Sequence, residues 1–544
     1  MRRSPCRLSR PDPRPAPGED PGRRSATRWL LAAILVALPG SAHADLLRRV
    51  LDAEPGAGGS GAGPAGSAQD SDLVEWAGQP TQITLPALLR LAVQQAPALA
   101  TAKLDIAIAE AQVAETWARR DWTMGAQATY AHSGSTVFSG IVLDSTTQAA
   151  LTADVSRLLP TGGRIGLHVD TNYSSTQGSL LGAGGSTYWT NDVTGSITQP
   201  LLKGRGEQLF DATERRATLT RDITVLSRRL SALNTIQAVI SAYWDLVLAQ
   251  QQVAITEQSL DLARERLRVT EIQVRGGKVA DAEVPAVQQI IATREEDVLN
   301  GELLVLDRSL ALRRAVGMPI GKGELGLRVS TELDLTASKL DLGDLVERAY
   351  TASPELAQLG TQDKQATIDI EVTRNGLLPQ LDLALSGGPR GTDTSFGSAS
   401  KDLVELKAYQ VQGSLTFSRS LHQYDVKARD QELRLGREKL RVNAFDVRAQ
   451  IAQAMAQAVA QIELAKRRVV LSQRAIALAK ENIRIETDRF SLGRSTNFDV
   501  LNRLEEQRQA ELRRVQALID WHKAETVVQA LTGDLLPAFG VTVE

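Results

Sequence analysis

The feature that most limits what this chain can become is a pair of apolar heptad series on one helix, written twice. Leu246, Val253, Leu260, Leu267 and Val274 stand at strict sevens, and in the second half of the chain so do Ile462, Val469, Ile476, Ile483 and Phe490. A second series runs two residues behind: Leu248, Ile255, Leu262 and Val269, matched by Leu464, Leu471, Leu478 and Ile485, with Leu492 one heptad on. Two residues are about 200° of rotation at 3.6 residues per turn, so the seams lie on nearly opposite sides of each helix. A helix on a globular core buries one stripe, and a dimeric coiled coil has one seam. Two seams require a neighbour on each side, as for a stave in the wall of a tube. The faces between them (Gln250, Glu257, Arg264, Glu271; Gln251, Gln258, Glu265) are polar and are expected to meet water inside and outside. Charges so regular argue against a helix buried in an ordinary bundle.

The duplication embraces most of the chain. Leu88, Ala92, Pro97 and Leu99 recur at one constant offset as Leu345, Ala349, Pro354 and Leu356. Gly277, Val284 and Gly317 recur as Gly493, Val500 and Gly533, at the same shorter offset that separates the two heptad series. Each half therefore opens with one Leu/Ala helix and closes with one helical pair, and the first half holds 41 more residues between them. Residues 211–276 and 425–492 contain no proline. As helices at 1.5 Å per residue they reach about 100 Å. Each meets a glycine turn, Gly276-Gly277 or Gly493, and then a shorter return helix. The expected order is a signal peptide (1–44), a flexible linker (45–81), repeat 1 (82–317), a second linker (318–341), repeat 2 (342–535) and a tail (536–544). Repeat 1 comprises an opening helix, a hairpin region 122–198, a long helix 211–276 and a return helix 278–316. Repeat 2 comprises an opening helix, a β-hairpin 379–418, a long helix 425–492 and a return helix 496–532.

Export follows from the N-terminus. Arg23-Arg24 and Arg28 precede the apolar run 29–38 and the small-residue site Ala42-His43-Ala44. That is a secretory signal cleaved after Ala44 rather than a short buried helix. Its removal takes eight arginines and three acids, a net +5, so the formal charge of −2 becomes −7, and nucleic acid is not an expected partner. Cys6, the only cysteine, leaves with it, and with it any disulfide, thiolate ligand or lipoprotein anchor. The glycine-rich stretch 55–68 lacks the flanking strand and helix of a phosphate loop and reads as linker. No other stretch approaches the roughly 20 apolar residues of a membrane helix, so a membrane is spanned by strands if at all.

Aromatic residues are absent from Asp245 to Arg348 and gather around strand-like segments instead. Four such segments lie in the first half, 122–130, 147–158, 164–173 and 188–198, the middle two joined by Pro160-Thr161-Gly162-Gly163. Two lie in the second, where 381–386 and 411–417 alternate apolar with small or polar residues, the pattern of barrel strands. A chain with two strands in a half cannot close a barrel alone, so spanning would require oligomerisation; a periplasmic β-domain capping a coiled coil is the other arrangement.

Three segments give this pattern a family likeness. The opening helices each carry a proline after a small residue (Ala96-Pro97, Ser353-Pro354). Leu377-Leu378-Pro379-Gln380-Leu381 forms a helix-to-strand junction, and Thr198-Gln199-Pro200-Leu201-Leu202-Lys203-Gly204 a strand-to-helix return. Their order and duplication over about residues 82–535 resemble the TolC family of outer-membrane efflux proteins. The resemblance implies a mainly α fold: two repeats of long helical hairpins form a trimeric periplasmic α-barrel, and short strands form a trimeric outer-membrane β-barrel. It implies a homotrimeric passive exit duct in outer-membrane lipid, served by an inner-membrane pump and a periplasmic adaptor, in drug efflux or type I secretion. Departures are the 41 extra residues, enough for six strands per subunit or an extracellular flap; Trp122, where the family's junction has proline; and Ser420, the counterpart of Pro200.

The same resemblance places function at the helical tips. The segment from Phe490 to Asn502 resembles the second periplasmic tip, where inward carboxylates ring a closed aperture. Asp499 matches the first acid, the second position is Asn502, and Arg494 lies in the same turn, so one acidic ring favouring cations is expected. The alternative for Asp499 is a cap on the returning helix. Gly276, Gly277 and Gly493 permit tight turns, Val274 and Leu492 are candidate adaptor contacts, and opening is expected as a shift between helical pairs. No reaction or cofactor is assigned. His132, His168, His422 and His522 are scattered without metal spacing, and Glu295-Glu296 and Glu505-Glu506 read as solvated faces.

Overall fold

The computed structural model describes residues 81–138, 141–178, 186–320, 326–329, 335 and 340–539. The expected signal peptide, almost all of the first linker and residues 540–544 lie outside the described residues. Each repeat opens on a broken helix: α1 (Leu85–Gln95) and α2 (Pro97–Thr116) in the first, α6 (Leu342–Ala352) and α7 (Pro354–Gly376) in the second. The break is local chemistry. Pro97 and Pro354 stand at the first helical position, where no N–H is needed, and force the preceding Ala96 and Ser353 into extended backbone.

The long helices are α4 (Ala212–Arg275) and α9 (Tyr424–Ser491), followed by return helices α5 (Glu283–Val316) and α10 (Asn497–Thr532). A short helix α3 (Glu207–Phe210) precedes α4, and α11 (Leu535–Ala538) follows α10. The return helices end where the opening helices break. Gly317, at φ +85°, would drive a Cβ to 2.4 Å from the Gln95 carbonyl oxygen, and Gly533, at φ +78°, to 3.0 Å from Ala352 Cβ. The repeat of the opening helices and the repeat of the return helices are thus the two sides of one contact, and glycine is required there by both conformation and space.

Side by side, the helices form one wall. Next to the strands the order is α2, α4, α7, α9; toward the tips it is α5, α4, α10, α9. Leu88, Leu89 and Ala92 of α1 pack with Ile236, Ile240 and Leu246 of α4 and Leu312 and Val316 of α5. Leu345 and Ala349 of α6 pack with Ile451, Met455 and Ile462 of α9 and Trp521 of α10. Each fully buried Leu or Ile stabilises the wall by roughly 1.5–3 kcal/mol. A two-stranded parallel sheet, β1 (Thr81–Ile83) with β6 (Leu327–Val329), closes the first core. Gln250 does not face water as its spacing suggested: its side chain donates to the Leu327 carbonyl at 3.0 Å and satisfies the edge of β6. One expectation about membrane helices also needs correcting, because α4 contains an 18-residue window apolar enough by composition to cross a bilayer. More than half of that window is buried against the chain itself, and it forms the first core.

Six strands form one antiparallel sheet in the order β2 (Trp122–Phe138), β3 (Ile141–Leu158), β4 (Arg164–Gly178), β5 (Ser186–Pro200), β7 (Gln380–Asp393), β8 (Ala408–Ser418). The strands outrun the alternating segments because their ends are rich in Ser, Thr and Gly, which carry no periodicity. Gly162, at φ +85°, makes the β3–β4 turn. The β5–β7 pairing skips Val193 and Thr194, beside Pro389, which has no N–H to donate. Between β7 and β8 the chain is not a plain hairpin: helix α8 (Phe396–Val404) intervenes, capped by the Ser395 hydroxyl accepting from the Ser398 amide at 3.2 Å. Phe396 meets the Trp189 ring edge-on, which seats α8 on the sheet.

Candidate functional site

The sheet separates two chemistries. On one face lie Trp122, Met124, Ala126, Ala128 and Tyr130 of β2, opposite Val155, Ala153, Leu151 and Ala149 of β3, and the register carries this face through Leu167 and Val169, Val193 and Ile197, and Leu383 and Leu385 to Val411, Leu415 and Phe417 of β8. Most of these apolar side chains are exposed. The other face holds Gln127, Asp154, His168, Asp170, Asp192, Arg390, Gln410 and Gln412, with Asp192 gripping Arg390 at 2.9 and 3.1 Å. A wall between lipid and water needs this division.

The strand–helix junctions meet each other. After Pro200, the Leu201 amide donates to the Leu381 carbonyl at 2.7 Å and Lys203 to Pro379 at 3.3 Å, while Gly204 donates to the Asn375 side chain at 2.7 Å. The return of the first half is therefore bolted to the junction of the second. Trp122 begins β2 at the same level, with the Arg157 guanidinium 5.7 Å above its ring. Below the junctions, a cleft of about 780 Å³ lies between Arg120, in the turn after α2, and helices α4, α7 and α9. Its charges pair within the wall, Arg120 with Asp211 and Glu214, and Arg437 with Asp363, so it is a packed joint of helices.

At the tips, both turns are built alike. Gly277 (φ +68°) donates to the Val274 carbonyl and Lys278 to Gln273; Gly493 (φ +71°) donates to Phe490 and Arg494 to Arg489, all at 2.9 Å. These are helix ends closed by a left-handed residue. Gly276 and Arg494 are exposed, Val274 is half-buried, and Leu492 is 70% exposed beside an exposed Phe498. Asp499 and Asn502 are exposed on the first turns of α10. Asp499 is engaged as a cap: its carboxylate accepts from the Thr496 amide at 3.0 Å and hydroxyl at 2.7 Å, completing a capping box. Those bonds, with a weaker one from Ser495, hold its carboxyl below the usual range.

Sequence reasoning missed the residues that join the two hairpins. Arg266 of α4 is buried; its Nε donates to the Asn497 Oδ1 at 2.8 Å and its guanidinium lies 3.9 Å over the Phe490 ring. Burial lowers the Arg266 pKa, with Glu283 opposing. Glu505 is not a solvated face, as its Glu-Glu pair suggested. Its side chain is 25% exposed, bridging Arg294 of α5 and Arg508. Burial pushes its pKa up, but bonds from Arg508, Gln509 and Arg294 together bring it down to about 2. His522 is stacked on Trp244 at 4.1 Å, and burial lowers its pKa to about 4. A heptad count sees none of these, because each has a partner in the other half of the chain.

Duplicated helical hairpins joined through an amphipathic antiparallel sheet are the fold of TolC-like outer-membrane channels. Residues 146–318 match the family described as outer membrane efflux protein. No curated protein matches the chain. Among solved structures, the fold is similar to CusC, whose description concerns transmembrane channel formation, at TM-score 0.62 and 14% identity, covering 82% of this chain and 91% of that one. The outer membrane channel CmeC of Campylobacter jejuni matches at TM-score 0.61 and 13% identity, over 83% of this chain and 86% of that one. The MtrE outer membrane channel of Neisseria gonorrhoeae, in its open state, matches at 0.57 and 18%, over 83% and 89%. At these identities the likeness is one of fold.

Proposed function

We propose that three copies stand side by side in the outer membrane as a passive exit duct, with the hairpin tips in the periplasm. There an adaptor protein and an inner-membrane pump deliver the cargo. One observation carries this reading. In α9 the first heptad seam is turned inward, with Ile462, Val469 and Phe490 at 1–6% exposure and Ile476 and Ile483 half-buried, whereas the second, Leu464, Leu471, Leu478 and Ile485, is 37–67% exposed. Leaving four large apolar residues in water along one helix forgoes several kcal/mol. Its natural cover is the opposite edge of a neighbouring copy, where Leu104 and Ile108 of α2 and Leu299 and Leu303 of α5 are exposed. Such a head-to-tail contact closes into a ring.

In that ring the three Asp499 carboxylates form the single acidic collar of the tip aperture, with Asn502 below it and Arg494 in the adjoining turn. Leu492, Phe498 and Val274, around the Gly276-Gly277 and Gly493 turns, are the apolar contacts for the adaptor. The cargo is the pump's choice, since a passive pore supplies no energy of its own. The test is extraction in detergent followed by mass measurement and single-channel recording in a planar bilayer. A conducting trimer is expected, and a water-soluble monomer without conductance would overturn the duct. Asp499→Asn keeps an acceptor for Thr496 but removes the charge, and should weaken block by divalent cations several-fold; unchanged block would remove Asp499 from the aperture.

A further inference from the structure

We infer that the sheet is closed by β8 of one copy pairing with β2 of the next, giving a barrel of six strands from each of three copies, eighteen in all. This rests on the trimeric reading above. The extra strands of the first half are not a flap: β3 pairs with β4 from Leu143↔Gly178 to Leu158↔Arg164, broken only by a register shift between Leu143 and Ser145, and β4 pairs with β5 without a shift. The open edges of the sheet are therefore β2 and β8. An unpaired edge cannot stand in hydrocarbon, because its N–H and C=O groups have no water to bond.

The two edges fit each other in direction and face. β2 starts at the helical junction and β8 ends there, so a neighbour's β2 runs antiparallel to β8. The apolar face is carried by even-numbered residues of β2 (Trp122, Met124, Tyr130) and odd-numbered residues of β8 (Tyr409, Val411, Leu415, Phe417). Only registers that set even against odd keep one continuous apolar belt, since a slip of one residue reverses every side chain. The helices below agree: α2 leads into β2 and α9 follows β8, so both closures join the same two edges.

Circumference is compatible with the count. At each level a copy contributes four staves, hence twelve in the ring. At 8–10 Å between helix axes they span roughly 110 Å. Eighteen strands about 4.8 Å apart and tilted by about 40° also span roughly 110 Å, whereas twelve strands span only about 75 Å. The eighteen-stranded barrel continues the helical tube without a taper, and its bore is about half as wide again as that of a twelve-stranded one. Narrowing then belongs to the tips, and the outer mouth admits bulky cargo.

The mature chain has no cysteine, so cross-linking reads this directly. Leu415→Cys is combined in turn with Met124→Cys, Ala126→Cys or Ala128→Cys on β2, and separately with Leu167→Cys on β4, and trimers extracted from membranes are oxidised. At least one β2 pair is expected to give reducible, covalently linked trimers, and the β4 pair none. Linkage through β4, or conducting trimers with no β2 linkage, would overturn the closure while leaving the duct intact; absence of any trimer in the unsubstituted chain would overturn both. Polymer exclusion needs no variant: the outer mouth of the unsubstituted channel is expected to admit poly(ethylene glycol) too wide for twelve strands, and its exclusion overturns the proposal.

Discussion

The turn after α4 and the turn after α9 are closed by the same backbone bonds to the same repeat positions, yet the helices that leave them start differently. After Gly493, Thr496 caps α10 at once and Asp499 completes the box. After Gly277 the repeat counterpart of Thr496 is Ala280, which has no oxygen to offer, and α5 begins only at Glu283 after two loose turns. The second hairpin also holds the joint: Arg266 reaches across to Asn497, while the equivalent positions Asn482 and Asp281 are exposed. Its return helix carries Glu505 and His522 where the first has Gln289 and Leu306. Duplication thus preserved the backbone of the hairpin and left the polar chemistry to one copy. The second tip is the capped one that holds the joint, and the first lacks the cap.

The sharpest contrast is in pH. His522 has a folded pKa of about 4 against an ordinary 6.5, so the folded state resists protonation. Its contribution is complete above pH 6.5 and is lost as pH falls toward 4, at its limit about 3 kcal/mol. Glu505, lowered to about 2 from 4.5, adds a second decline between those values. Melting temperature against pH should fall in these two windows, and His522→Gln should flatten the first; an unchanged profile would mean that the ring is not buried as described. Arg266→Ala removes the bond to Asn497 and the contact over Phe490, and should cost roughly 2–3 kcal/mol in denaturant unfolding. Asn482→Ala, at the equivalent place, should cost little, and equal losses would erase the comparison.

Smaller effects sharpen the backbone side of it. Gly277→Ala and Gly493→Ala force a Cβ into left-handed backbone and should each cost about 1–2 kcal/mol, alike in both tips because the turns are alike. Thr496→Ala should cost about 1 kcal/mol by removing the cap. Ala280→Thr sets a threonine three residues before Glu283, the spacing of a capping box, and should stabilise the first tip by up to about 1 kcal/mol. Amide hydrogen exchange over 280–284 would report it: slower exchange is expected, and no change would mean that the loose turns are held by something other than the missing cap.

Much of this molecule is dictated locally. Two seams on one helix demand two neighbours, and a proline after Ala96 or Ser353 must break a helix. Gly317, left-handed and pressed against the Gln95 carbonyl, admits no other residue. The first two constraints act within a few turns and can be read along the chain, and the recurrence of that glycine as Gly533 marks the third. The alternation in β7 and β8 is legible for the same reason, since a strand's faces repeat every two residues. What lay beyond reach depends on residues far apart in sequence. That the extra residues of the first half enter the sheet was settled by strand pairing, for which β3 and β4 offer backbone groups that any strand could have met. That Glu505 is a bridge and not a solvated acid was decided by Arg294, 211 residues away. Gln250 turned inward because β6 needed a partner for its edge. Periodicity records which faces a helix must bury, whereas a buried charge is tolerable only where a particular distant partner arrives to meet it.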